Sequence, residues 1–258
     1  MSDIFDRKLL RKNQKRYQEY FSDHDFLYRE VADYMLHDIE SLKKDFDNVL
    51  QICGKDRYIN NYIAKIKNVK QNICASYNNF NFSDIVFDEE DLPFKEESFD
   101  LIVSNLNLHF INKLPQFLMQ AKALLKKDGF FIASFFGENN LIDLKKAVFE
   151  AEEGVLGGFS ARFMPVIDLK SAARLLQKSG FNDPVSGLDI VDVEYGSAEK
   201  ILQDIKYMGQ GNILQKRANK MTNRKFFNEI YNNYAKIATN SNDLLNVRYE
   251  IIIISGWK

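Results

Sequence analysis

The chain has 258 residues, of which 45% are hydrophobic, 28% charged and 13% aromatic, with 12 Gly and 4 Pro. That composition excludes disorder, collagen-like repeats and low-complexity linkers. Thirty-five basic against 36 acidic residues leave a net charge of −1, so no overall electrostatic footprint points to nucleic acid.

Residues 3–43 predict two helices, LLRKNQKRYQEYF and, after the polar break SDHD, FLYREVADYMLHDIESL, each with apolar residues at helical spacing. Asp3 and Asp6 make the basic first segment a structural helix rather than a transit peptide. FDNVLQIC (46–53) suits a buried parallel strand, and YINNYIAKI (58–66) sets Ile59, Tyr62, Ile63 and Ile66 on one helical face. Strands follow near 69–76, 83–88 and 99–106. LPQFLMQAKALLK (114–126) is an amphipathic helix expected to close at KKDG with Gly129 left-handed, and GFFIASFFG (129–137) is the next buried strand. The repetition predicts a parallel sheet covered by helices on both faces.

Beyond Gly137 the pattern gives helices over 141–153 and 168–180, a strand over 183–195, helices over 197–209 and 223–238, and a closing strand, VRYEIIIISGW (247–257). At about 150 residues per domain, this is one domain over 1–258. It has a helical N-terminal cap (1–45), a sheet core (46–195 and 245–258) and a helical insert (196–244). The longest apolar runs, FFIASFF (130–136) and IIII (251–254), fall well short of the roughly 18–20 residues of a membrane span. Cys53 and Cys74 lie in or near apolar runs and nothing resembles a secretory signal, so free thiols in a reducing compartment are expected.

Ligands of such sheets bind at the carboxyl ends of the strands. There stand DEEDLPFKEESFDLIVSNLNLHFI (88–111), the KKDGFF turn into the fifth strand, FFGENNLIDL (135–144) and the terminal SGWK. Together they resemble the class I S-adenosylmethionine-dependent methyltransferases, which implies an α/β, Rossmann-like, seven-stranded sheet and S-adenosylmethionine as cofactor. In that family an acid after the third strand hydrogen-bonds the adenine amino group; Asp88, followed by Glu89, matches it, ahead of Leu92, Pro93 and Phe94. More narrowly, IFDRKLLRKNQKR, the LPF segment, GGFSARFMP (157–165), YMGQGN (207–212) and SGWK resemble the proteobacterial and mitochondrial complex I assembly factors of arginine-hydroxylase type, relatives of malonyl-acyl-carrier-protein methyltransferase.

The chain departs from the methyltransferase pattern after the first strand. Where the resemblance implies an acid and then Gly-x-Gly-x-Gly, Gln51 stands at the acid and Cys53, Lys55 and Arg57 at the glycines, with Gly54 between. Side chains there crowd the methionine end, and Lys55 and Arg57 set positive charge against a sulfonium. On the second strand, Ile73 or Cys74 takes the place of the acid implied to bind the ribose.

The cofactor residues implied are therefore Cys53, Gly54, Asp88, Glu89 and Ser104. Asn105 and Asn107 beside them either touch a ligand or cap a turn. His109 fits the family's L-H-[WF] pattern as a base or substrate contact, the structural alternative being a histidine packed between the fourth strand and the next helix. His24 and His37 are expected to be structural or exposed, and no metal site is expected, since no H-x-[DE] occurs. Ser160, Arg162 and Phe163 fall in a pocket-facing loop, with Arg162 suited to meet a carboxylate. Lys216, Arg217, Lys220, Arg224, Lys225 and Lys236, interleaved with Phe226, Phe227, Tyr231 and Tyr234, read as a basic amphipathic helix for an acidic partner or membrane surface, or as a cap helix.

The resemblance thus implies a methyltransferase-like protein with a degenerate cofactor loop, acting on a protein partner in respiratory complex I assembly. It would do so in the cytoplasm or peripherally at the inner membrane. Two alternatives stand: a non-catalytic scaffold that does not bind S-adenosylmethionine, and a malonyl-acyl-carrier-protein O-methyltransferase meeting an acidic carrier. No local residue set selects hydroxylation over methylation.

Overall fold

The computed structural model describes residues 3–218 and 223–258. Its elements run α1 (Arg7–Tyr17), α2 (Phe26–Ser41), β1 (Asn48–Ile52), α3 (Tyr58–Ile66), β2 (Gln71–Ser76), β3 (Ile85–Val86), β4 (Phe99–Ser104), α4 (Leu114–Leu124), β5 (Leu125–Phe136), α5 (Ile142–Ala151), α6 (Leu169–Lys178), β6 (Asn182–Tyr195), α7 (Ala198–Tyr207), α8 (Arg224–Ala238) and β7 (Leu245–Trp257). Several helix starts follow from side-chain caps. Asp6, Asp168 and Asn223 each accept a hydrogen bond from the backbone N–H three residues on, at 2.9 Å, opening α1, α6 and α8.

Among the described residues the strands form one seven-stranded sheet, ordered β3-β2-β1-β4-β5-β7-β6. β1 pairs in parallel with β2 and β4, and β4 with β5. The parallel sheet expected from the repeats up to Gly137 is joined by β7, which runs antiparallel to β5 from Phe130↔Trp257 to Phe136↔Ile251. A strand buried on both faces reads as one apolar run whichever way it points, so IIII carries no signal of direction. Gly129 is also not the left-handed residue of KKDG; Asp128 is, at φ 60°. α4 stops at Leu124 and β5 begins at once, and Gly129 serves there by its size, since a Cβ would lie 2.9 Å from the Lys126 carbonyl oxygen.

The chain divides into two compact units. One comprises Asp25–Gly137, Ile167–Asp189 and Ile251–Lys258. Val49, Leu50, Leu101, Ile102, Phe131 and Ile132 are fully buried in it, each side chain contributing about 1.5–3 kcal/mol by leaving water. From β1 the chain turns towards β2 and from β4 towards β5, so the crevice at the carboxyl ends of β1 and β4 is a topological switch point.

The other unit comprises the residues up to His24, Glu138–Val166 and Ile190–Glu250. α5 packs on α8, and α8 buries Phe226, Ile230 and Tyr234 while leaving Arg224, Lys225 and Lys236 exposed. Phe226 and Tyr234 are therefore core, and Phe227 and Tyr231 are half-buried. Lys216 and Arg217 precede the helix, Arg217 pairing with Asp6 at 3.0 Å, and Lys220 lies outside the described residues. His24 Nδ1 sits 2.5 Å from Asp204 and its ring 4.7 Å from that of Tyr207.

Directly after α5 the backbone widens into a π-helical turn, Glu152–Leu156. Its first residue, Glu152, is fully buried, and Arg162 Nε donates to it at 2.6 Å. The Ser160 hydroxyl and backbone N–H donate to the same oxygen. The Arg162 guanidinium also lies 4.6 Å from the Phe226 ring centre.

Candidate functional site

The loop after β1 opens the crevice. Cys53 holds a left-handed conformation, φ 56°, one that glycine adopts freely and a side chain makes costly. Gly54 is kept by space, since a Cβ there would lie 2.6 Å from Cys74 Sγ and 3.1 Å from the Gln51 amide. Gly54→Ala is expected to cost about 1–3 kcal/mol, the range for overpacking a filled core. Adding Cys74→Ala should recover most of that loss in urea unfolding; an unchanged loss would show that the thiol is not the obstacle.

Lys55 is buried, 8% exposed, at the second glycine position. Desolvation pulls its ammonium pKa down from 10.5 to about 7, against the opposing pull of Cys53 and Glu89. Arg57 does not bring the charge expected of it, being met by Asp84 at 2.9 Å and by the carbonyls of Phe82 and Asn72 at 3.0 and 3.1 Å. Burial pushes the Cys74 thiol up to about 12, and both cysteines are buried thiols outside any disulfide, core groups rather than nucleophiles.

β2 ends at Ser76, so the group at its carboxyl end is a hydroxyl, and Ile73 and Cys74 lie further back on the strand. Sequence reading did not single out Ser76; the strand boundary reveals it. After β3, Asp88 is half-buried and accepts from Glu90 N–H at 3.0 Å, while Glu89 is fully buried.

Ser104 closes β4, fully buried, and its hydroxyl has no hydrogen-bond partner among the described residues. The same holds for Gln51 Oε1 and Asn107 Nδ2, Asn107 Oδ1 accepting from Tyr77 OH at 3.0 Å. Asn105 is structural, donating to the Tyr28 carbonyl at 2.8 Å and accepting from Ser134 Oγ at 2.9 Å. His109 is 7% exposed in a short turn, its ring 4.3 and 4.8 Å from those of Phe110 and Phe136.

These residues do not fit S-adenosylmethionine. The crevice has open polar atoms at Gln51, Ser104 and Asn107, and Asp88 where the resemblance implies the adenine contact. It lacks a carboxylate at the end of β2, and it sets a buried amine where the backbone should approach a cationic methionine end. Among the described residues no three His, Cys, Asp or Glu side chains gather as metal ligands.

Residues 38–133 match the family model described as a methyltransferase domain. Human mitochondrial arginine-hydroxylase NDUFAF5 is 31% identical over 270 residues, covering 99% of this chain and 77% of that one. The malonyl-[acyl-carrier protein] O-methyltransferase of Gallionella capsiferriformans is 25% identical over 66% of this chain and 56% of its own. Among solved structures, the YcgJ protein of Bacillus subtilis superposes with a TM-score of 0.53 at 14% identity, over 89% of this chain and 98% of that one, a likeness of fold. By identity sustained over nearly its whole length, the chain belongs to the family of the arginine-hydroxylase NDUFAF5.

Proposed function

We propose that this protein is an assembly factor for a respiratory NADH:ubiquinone oxidoreductase that works by holding a protein partner, on a methyltransferase fold whose crevice no longer takes S-adenosylmethionine. The observation that carries this reading is the buried Lys55 in the cofactor loop. An ammonium close to a sulfonium is repelled by it, and a neutral amine still fills space that glycine leaves to the ligand. Methyl transfer to malonyl-acyl-carrier protein needs the cofactor and loses support for the same reason. The reading puts the protein in the cytoplasm, at the inner face of the membrane carrying the complex; no helix among the described residues is long and apolar enough to cross it.

Calorimetric titration with S-adenosylmethionine and with S-adenosylhomocysteine is expected to give no heat and no thermal shift. In a deletion strain, assembled oxidoreductase should fall, and the Asp88→Ala variant should restore it as fully as the wild type. Micromolar binding abolished by Asp88→Ala would overturn the loss of the cofactor. Normal levels of complex in the deletion strain would overturn the assembly role.

A further inference from the structure

A groove of about 280 Å³ lies between α2 and the sheet margin, well apart in sequence from the cofactor loop. Its floor is Val185 and Gly187 of β6 with Ile253 of β7, and Tyr34 and Asp38 of α2 form one wall. Asp189 faces Asp38 across it, closely enough that its charge adds to desolvation in raising the Asp38 carboxyl pKa, against a pull the other way from His37. Neither carboxylate forms a hydrogen bond or ion pair among the described residues, whereas Tyr34 OH donates to a further acid, Glu30, at 2.6 Å. Two facing carboxylates repel, and a cation between them relieves the repulsion.

The rest of the groove says what carries that cation. Val185 is 59% exposed on the floor, and a Cβ added at Gly187 would meet nothing within 4 Å. β6 is the last strand of the sheet, and such an edge offers main-chain groups to an added strand. A bare divalent ion makes no use of an apolar floor, while a lysine or arginine lays its methylene stem on one and its charge beyond.

We propose that this groove docks an extended, basic segment of a protein partner, with an arginine or lysine side chain over Val185 and its charged end between Asp38 and Asp189. The segment pairs along β6, so alternate side chains enter the groove.

The test uses the full chain and a fluorescein-labelled peptide, Arg-Val-Arg-Val-Arg-Val, read by anisotropy at low salt. Binding is expected, weakened at least about tenfold by Asp38→Asn with Asp189→Asn and equally by Val185→Lys, which fills the groove with its own cation. The Glu-for-Arg peptide should not bind. Thermal midpoints unchanged by the substitutions would assign the loss to the groove rather than to unfolding. Equal affinity of the Asn variant, displacement of the peptide by calcium alone, or self-association dissolved by Val185→Lys would each overturn the proposal, the last by making a second copy the occupant.

Discussion

Arg162→Ala is expected to unfold in urea with about 3–5 kcal/mol less stability than the wild type, the cost of stripping one partner from a buried ion pair. Glu152 is fully buried, with Arg162 Nε 2.6 Å away. Without the guanidinium the carboxylate keeps only the Ser160 donors, too few to replace water around a buried charge. Arg162→Ala combined with Glu152→Gln should lose much less, because no charge is then left in the core. If the single and double variants are equally unstable, the loss comes from Arg162 packing on Phe226 rather than from the pair.

The wild type is expected to gain stability over Lys55→Met as the pH rises from about 7 to about 10, by roughly 1.2 kcal/mol per pH unit and about 3.5 kcal/mol in all. The sign follows from the depressed pKa, about 7 when folded against an ordinary 10.5. Between those values the unfolded chain binds a proton that the folded chain does not, so raising the pH favours folding until both forms are neutral. The raised tyrosine pKa values of Tyr195, Tyr234 and Tyr249 are common to both proteins and cancel in the difference. Parallel profiles would show Lys55 to be as well solvated in the folded chain as in the unfolded one, and so not buried in the loop.

Much of the architecture was legible because local pattern and burial agree. The compact runs at 46–53, 99–106 and 129–137 mark interior strands, and the acids and LPF after β3 mark the crevice. Direction and depth were not legible. The antiparallel course of β7 depends on where the chain re-enters the sheet, which an all-apolar strand does not record. Sequence alone puts Lys55 and Glu89 at the crevice, but their burial is decided by what packs over them. Arg162 was expected in a pocket-facing loop; its pairing with Glu152 inside the chain follows from the π-helical turn, which helical periodicity does not announce. The basic helix was half legible, Phe226 and Tyr234 proving to be core while the preceding Arg217 answers Asp6.

The placing of β7 between β5 and β6 has a consequence for synthesis. During translation β5 emerges early and β6 later, but neither can pair with its neighbour on that side until residues 251–257 have left the ribosome. Until then β5 is a bare edge of phenylalanines and β6 has no sheet to join, so nascent chains halted before Ile251 should be prone to pair with one another. Lys258, whose amino group reaches the Leu125 and Ala123 carbonyls at 2.6 and 3.3 Å, then pins that last strand in place. A fusion at this end therefore presses on the junction of α4 and β5, where Lys258 is held.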